Sequence, residues 1–283
     1  MKSIHVEDVN LAAAWERAVD KCWDEGEEFS TQYDRPEDPK SKDCTMLVHV
    51  HEPTADPRYH LGICMGLEDL EKYVQEVIYG VHDHWMNDTT NPNRWTYTYH
   101  QRLFGYPYKS LPITTFVPPT NQIAKVIEQL KECGHTRRAQ AITWQPWSDA
   151  DHVDPPCLQS LWFRVQDDKL NMNVRFRSND LLKAAFPNMV ALIELQNYVA
   201  QRVGVGVGSY IHLSDSMHIY GKDFGELEKF QQRCERPWEE RVWTKEKCAL
   251  SFAEGCRQLL EEEGMPDDKK MLIQARKAYW ESL

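Results

Sequence analysis

Residues 180–204 read DLLKAAFPNMVALIELQNYVAQRVG, a long, mostly apolar run broken once, by Pro187. A run that is apolar nearly all round cannot lie on a surface; it suits a buried helix, or helix pair, crossing a sheet. The sheet is legible on both sides of it. AQAITWQP, LQSLWFRVQ and LNMNVRFRS read as three strands joined by an acidic loop and a DDK turn, and SYIHLSDSMHIYG reads as a further strand. The fold class that follows is α+β, a mixed sheet packed on helices.

The remaining segments add to that frame. Residues 7–24 place Val9, Ala12, Trp15, Val19, Cys22 and Trp23 at helical spacing, so the reading predicts one amphipathic helix there. CTMLVHVH alternates like a strand, and residues 66–80 return to helical spacing. TNQIAKVIEQLKECG is a helix with a threonine cap and a glycine stop. NDTTNPNRWTYTYHQRLFGYPYKSLP is loop-rich and aromatic, as a ligand-facing surface often is. VGVGVGS at 203–209 lacks the glycine spacing and following helix of a dinucleotide loop, and is read as a strand or turn. After Tyr220 the chain becomes helical and charged. No internal repeat or flexible linker is visible. The expectation is one mixed domain over 1–220 with a helical extension, 221–283, packed on it.

A net charge of −11 argues against a general nucleic-acid coat or an anionic-membrane binder. It leaves room for a small phosphorylated ligand held by a few arginines. No stretch of eighteen apolar residues occurs and residues 1–20 lack a signal-peptide pattern, so a cytoplasmic, reduced protein is expected. The eight cysteines contain no CxxC pair, and the neighbouring His82 and His84 belong to no HExxH set, so no metal is expected.

One cysteine stands in unusual company. Cys157 follows two prolines in DPPCLQS, and Arg177 and Ser178 end the strand run behind it. Arg137 and Arg138 end the helix and loop before it. If the strands are adjacent, Cys157 lies near several arginines. Cations stabilise a thiolate, and an arginine fork with a serine hydroxyl suits a phosphate. Spacing alone still favours the plainer reading, a core cysteine and solvated arginines.

Taken together, TRRAQAITWQP, DPPCLQSLWFRV, LNMNVRFRSNDLLKAAFPNM and SDSMHIYG resemble the central block of the thymidylate synthase and pyrimidine hydroxymethylase family. The resemblance runs from about Asn121 to Tyr220, and more loosely back to Arg35. It implies that Cys157 adds to carbon 6 of a pyrimidine nucleoside monophosphate. Carbon 5 then captures a one-carbon unit from 5,10-methylenetetrahydrofolate or a related pterin. It implies phosphate contacts from Arg177 and Ser178, from the mobile arginine Arg35, and from Arg137 and Arg138 of a second subunit, hence a homodimer. Glu76 in QEVIYG, with the ring of Tyr79 after it, takes the place of the catalytic glutamate. Tyr99, with Tyr97 as rival, takes that of the active-site tyrosine. His218 and Tyr220 fall where the family contacts the sugar, and Asp180 near the folate.

Asn188 occupies the position that is asparagine in the synthases and aspartate in the deoxycytidylate hydroxymethylases of the family. An amide complements uracil, so dUMP is the expected nucleotide. Two departures bear on the product. The chain ends QARKAYWESL instead of in a short apolar tail, and Leu158 follows the nucleophile where many synthases carry histidine. A less sealed site favours water as the final nucleophile and a 5-hydroxymethyl product. The alternatives are thymidylate synthesis by hydride transfer, dCMP or CMP hydroxymethylation, and a catalytically silent nucleotide-binding homologue.

Overall fold

The computed structural model describes residues 1–87, 95–107 and 118–283. Part of the loop-rich aromatic segment, residues 88–94 and 108–112, lies outside the described residues.

The chain opens with a strand, β1 (Ser3–Asp8), whose last two residues the periodicity assigns to the first helix. Ile4 and Val6 point inward, and helix α1 (Leu11–Glu25) starts only after Asn10, whose side chain accepts the amide of Ala13. Val9 therefore stays exposed instead of joining the helix face. Strands β2 (Glu27–Phe29), β3 (Ser41–Val50) and β4 (Tyr59–His60) follow, then helices α2 (Leu67–Tyr79), α3 (Tyr99–Phe104) and α4 (Gln122–Glu132). The cap of α4 is Asn121, not the expected threonine, because Thr120 is taken up in a bridge to Tyr106.

Strand β5 (Gln140–Ile142) and the short helix α5 (Pro146–Asp149) lead to β6 (Leu158–Gln166) and β7 (Lys169–Phe176). Asp167 and Asp168, both at positive φ, make the tight turn of that hairpin. The strand β8 (Asn179–Asp180) runs through one wide π-type turn at Leu181–Ala185 into α6 (Phe186–Val203). Pro187 sits in the first turn of α6, where a missing N–H costs nothing, so the apolar run is one helix. Strand β9 (Gly206–Ile219) takes in most of the glycine-rich stretch, as the sequence reading expects.

The sheet order is β1-β3-β9-β7-β6-β5, with β2 on β3 and β8 on β9. Its inward residues, among them Met46 and Val48 of β3, Tyr210 and His212 of β9, and Met172 and Phe176 of β7, are fully buried. The alternate residues of the same strands are half-exposed or exposed. Burying only every second side chain is what a sheet covered by helices on one face requires.

Beyond β9 come α7 (Phe224–Cys234), α8 (Trp238–Arg241), β10 (Val242–Trp243), α9 (Lys245–Glu261) and α10 (Asp267–Glu281). β10 pairs with β4, and Phe252 of α9 packs between Tyr59 and Trp280. Helices α9 and α2 approach so closely at Gly255 that a Cβ there would sit 2.5 Å from the Glu68 carbonyl oxygen. Among the described residues no helix is long and apolar enough to cross a membrane.

A buried ion network ties α10 to the rest. Arg276 reaches Glu71 of α2 at 2.8 Å and Glu194 of α6 at 3.2 Å, and Arg58 meets Glu194 at 2.5 Å. Burial alone would raise the Glu194 carboxyl, but the two arginines outweigh it and bring the group from 4.5 down to about 2. A depressed carboxyl stabilises the fold above its ordinary pKa and loses that contribution as pH falls from 4.5 towards 2, here about 3 kcal/mol. Arg276→Ala leaves the buried Glu71 carboxylate without its cation and Glu194 with Arg58 alone, and is expected to cost about 3–5 kcal/mol. Urea denaturation at neutral pH checks this, and an unshifted midpoint would show that the network adds no stability.

Candidate active site

The two prolines before Cys157 have a visible use. Prolines hold the loop extended and offer carbonyls with no amide of their own to pair. Arg177 donates from Nη2 to the Pro155 carbonyl at 2.6 Å and from Nε to the Pro156 carbonyl at 3.1 Å. The β6–β7 register sets Leu158 opposite Phe176, so the next residues out, Cys157 and Arg177, face each other, and the Arg177 amide donates to the Cys157 carbonyl at 2.9 Å. A twenty-residue separation thus collapses to a cross-strand pair. Cys157 is half-buried and free. Burial pushes its thiol up, Arg177 pulls it down, and Asp154 pushes it up again.

Cys157, Arg177 and Ser178 line a cavity of about 730 Å³ with His218, Tyr220 and Lys222. β8 pairs with β9 so that Asp180 lies opposite His218, which brings the residues after Arg177 to the end of β9. His218 is buried; its Nδ1 meets Ser216 Oγ at 3.3 Å, and its Nε2 has no partner among the described residues. A buried orphan nitrogen in a cavity wall fits a ligand hydroxyl. Burial holds the His218 imidazole below its ordinary value, with Asp43 opposing. Tyr220 stands edge-on to Tyr33 of the loop before β3 and carries the Lys222 ammonium over its ring at 4.8 Å.

A second cavity, about 850 Å³, is lined by Tyr73, Glu76, Trp95, Tyr97 and Tyr99. It shares Val153 and Asp154 with the first, so the two form one cleft. The Tyr99 hydroxyl accepts the Leu158 amide at 3.3 Å, directly beside the thiol. Glu76 meets His82 Nδ1 at 3.2 Å, and His82 Nε2 meets Glu262, beyond α9, at 3.1 Å. Burial raises the Glu76 carboxyl, and His82 pulls it back. Trp85 stacks on His82 at 3.9 Å, and Trp95 stands edge-on to Trp85. Tyr79 points elsewhere, to the depression over the Arg58–Glu194–Arg276 network.

Several expected site residues stand outside this cleft. Arg137 and Arg138 are exposed at the far end of β6: the Trp162 indole donates to the Arg137 carbonyl, five residues or about 17 Å along the strand from Cys157. Adjacent strands therefore do not cluster these arginines on the thiol of their own chain, since an antiparallel hairpin sets them at opposite ends. Arg35 is exposed in the loop before β3, its backbone held by Asp38. Asp180 caps the wide turn, accepting the amides of Leu182 and Lys183. Asn188 is buried behind the wall: its Oδ1 accepts from Tyr73 at 2.5 Å and its Nδ2 donates to Asn179 at 3.2 Å.

Tyr73, Asp43, Ser216, Lys222 and His82 escape the sequence reading. Tyr73 had a usable signal, one helical turn before Glu76, and Ser216 had another, two residues before His218 on one strand face. His82, one of the two histidines weighed as metal ligands, has both ring nitrogens on carboxylates. Glu16, His60 and Cys234 also lie within ligand distance of one another. There His60 Nδ1 accepts the Gly62 amide, Nε2 meets Glu16, and Arg241 pairs with Glu16, which makes the trio a hydrogen-bonded cluster.

Residues 61–252 match the family model described as thymidylate synthase. The chain is 34% identical over 235 residues to a "Putative thymidylate synthase" of Methanocaldococcus jannaschii, covering 80% of this chain and 95% of that one. It is 30% identical over 219 residues to a protein of the same name from Methanosarcina mazei, covering 77% and 90%. A third, from Methanothermobacter thermautotrophicus, is 29% identical over 236 residues, covering 77% and 94%.

Proposed function

The chain belongs to the thymidylate synthase family, and from that premise we propose that it adds a one-carbon unit to carbon 5 of dUMP through a covalent adduct of Cys157. The observation that carries this reading is the single cleft in which a half-buried thiol, Arg177, Ser178, His218 and Tyr220 meet the cavity of Glu76 and Tyr99. A catalytically silent homologue has no need to keep both Cys157 and Glu76 on that cleft.

Carbon 5 of a pyrimidine is a weak nucleophile. A Cys157–carbon 6 bond moves the ring's π pair towards carbon 5 and the carbonyl at position 4, which makes carbon 5 reactive. Burial resists ionisation of the thiol, and Arg177 is the cation beside it that favours the thiolate. Ser178 and Arg177 hold the phosphate, while His218 Nε2 and Tyr220 hold the sugar. Tyr99 and Glu76 handle protons on the far side of the thiol, Glu76 through ordered water. Methylenetetrahydrofolate or a related pterin supplies the one-carbon unit, and the aromatic wall of Trp95, Tyr97 and Tyr99 offers a flat ring its stacking surface. Asp180 lines neither cavity; the resemblance alone assigns it to that ligand, through the carboxylate oxygen that its cap leaves free.

For the product we propose 5-hydroxymethyl-dUMP. Among the described residues, no side chain after Lys222 lines either cavity. Helix α10 is docked on α9, with Trp280 buried against Phe252. Water then reaches the exocyclic methylene at carbon 5. The second reading, dTMP by hydride transfer, is favoured by the names of the relatives. Mass spectrometry of the product from dUMP and methylenetetrahydrofolate decides: a hydroxymethyl gain supports the first, a methyl gain the second, and no product sinks both.

A homodimer is part of the proposal. Among the described residues no helix covers the outer face of the sheet, which carries Leu47, Trp162, Ile211 and Leu213, with Ser160, Asn173 and Arg175, around a depression of about 250 Å³. A second copy there would cover this apolar patch and take Arg137 and Arg138, beside Trp162, to its own cleft.

The resemblance assigns base choice to Asn188, which lines neither cavity and stands one hydrogen bond behind Tyr73 of the cleft lining. Its remaining N–H and oxygen lone pair match the carbonyl at position 4 and the N–H at position 3 of uracil. Asn188→Asp is expected to shift preference from dUMP towards dCMP by roughly ten- to hundredfold, the cost of one mismatched buried polar pair. Competition kinetics reads the shift, and equal use of dCMP by the unaltered protein would defeat the assignment.

A further inference from the structure

We propose that Asn179 and His212, which reach neither cavity, determine base preference by fixing which way the Asn188 amide faces. This rests on the reading above that Asn188 meets the base. Five side chains from α2, α6, β8 and β9 form one hydrogen-bonded chain. Tyr73 Oη meets Asn188 Oδ1 at 2.5 Å, and Asn188 Nδ2 meets Asn179 Oδ1 at 3.2 Å. Asn179 Nδ2 meets His212 Nε2 at 3.1 Å, and His212 Nδ1 meets Tyr210 Oη at 2.9 Å. Tyr210 and His212 are 0% exposed, Asn179 3% and Asn188 7%, so water does not supply substitute partners.

Such a chain has one polarity. An amide nitrogen cannot accept, so Asn179 Nδ2 must donate to an unprotonated His212 Nε2, and the ring proton sits on Nδ1 facing Tyr210. Burial brings the imidazole down to about 3, and Phe176 stacks on it at 4.7 Å, so it stays neutral with one donor and one acceptor. Read outwards, His212 orients Asn179, Asn179 orients Asn188, and Asn188 presents the pattern that uracil completes. Cytosine needs the Asn188 amide reversed. That sets its oxygen against Asn179 Oδ1 unless Asn179 also turns, and Asn179 can turn only if the His212 proton moves to Nε2. The whole chain must invert to accept the other base, which is why the discrimination extends to residues that never meet it.

The test measures binding of dUMP and dCMP by calorimetry in a Cys157→Ala background, which isolates recognition from chemistry. His212→Phe keeps the stacked ring and Asn179→Leu keeps the volume; each is expected to lower the preference for dUMP about tenfold. Asn179→Asp still accepts from Asn188 and is expected to retain the preference, a distinction that a merely structural role would not produce. Tyr210→Phe, the mildest change, releases the His212 proton and keeps the test open if a larger change prevents folding; its preference is also expected to fall. An unchanged ratio in Tyr210→Phe and in the folded His212 and Asn179 variants, beside a normal shift in Asn188→Asp, overturns the relay alone. Binding of neither nucleotide by the parent overturns the reading it rests on.

Discussion

Cys157→Ala is expected to lose turnover by about a thousandfold or more while still binding dUMP. The loss follows from the chemistry: without a sulfur at carbon 6, nothing moves electron density onto carbon 5. Binding survives because the groups proposed to hold the nucleotide are fixed independently of the thiol. Arg177 is held by the carbonyls of Pro155 and Pro156, His218 by Ser216, and the β6–β7 ladder continues through the Cys157 backbone, which alanine keeps. The other cysteines serve as controls. Cys22, Cys44, Cys248 and Cys256 are buried in the core, and Cys22 and Cys44 both direct their sulfurs at the Met217 carbonyl. Alanine at those positions is expected to lower stability by an amount typical of small cavities, with little effect on the chemistry of the folded fraction. Single-turnover assays with separate nucleotide titrations distinguish the two effects. Near-normal turnover by Cys157→Ala would remove the covalent mechanism altogether.

The parts of this molecule that are legible in its sequence are those whose determinants are local. The β6–β7 hairpin is written in two alternating runs and a two-aspartate turn, and α6 in an unbroken apolar run with a proline that fits its first turn. The pairing of Cys157 with Arg177 follows from the same hairpin. β1 escaped because its short alternation ends in Glu7 and Asp8 and runs almost directly into α1, and only Val9 and the Asn10 cap separate the two periods. The residues missed at the cleft come together through long-range packing. Glu262 lies 180 positions from His82, and Asp43 lies 173 positions from Ser216, so no window along the chain holds either pair. Register explains the opposite error: residues near Cys157 in sequence, such as Arg137 and Arg138, are carried away from it because β5 and β6 run in opposite directions.

That separation gives the second large effect. Mixing two variants that are each inactive, Arg137→Ala with Arg138→Ala in one chain and Cys157→Ala in the other, is expected to restore activity. In one protomer of the mixed dimer the thiol is intact, and the arginines that reach it come from the partner, which also has them intact. The other site lacks both. Random exchange puts half of the dimers in the mixed state, each with one working site, so about a quarter of the parent's activity should return from a baseline near zero. The separation motivates this crossing: on its own chain the Arg137 carbonyl is held by Trp162, about 17 Å along β6 from Cys157. The two arginines are exposed beside Trp162, at the border of the apolar outer face of the sheet. Arginine is suited to this crossing because its rigid fork grips phosphate from the end of a long side chain. Subunit exchange is confirmed with differently tagged chains before assay. If mixed dimers form and stay inactive, the shared site fails, and the two arginines belong to the surface of their own protomer.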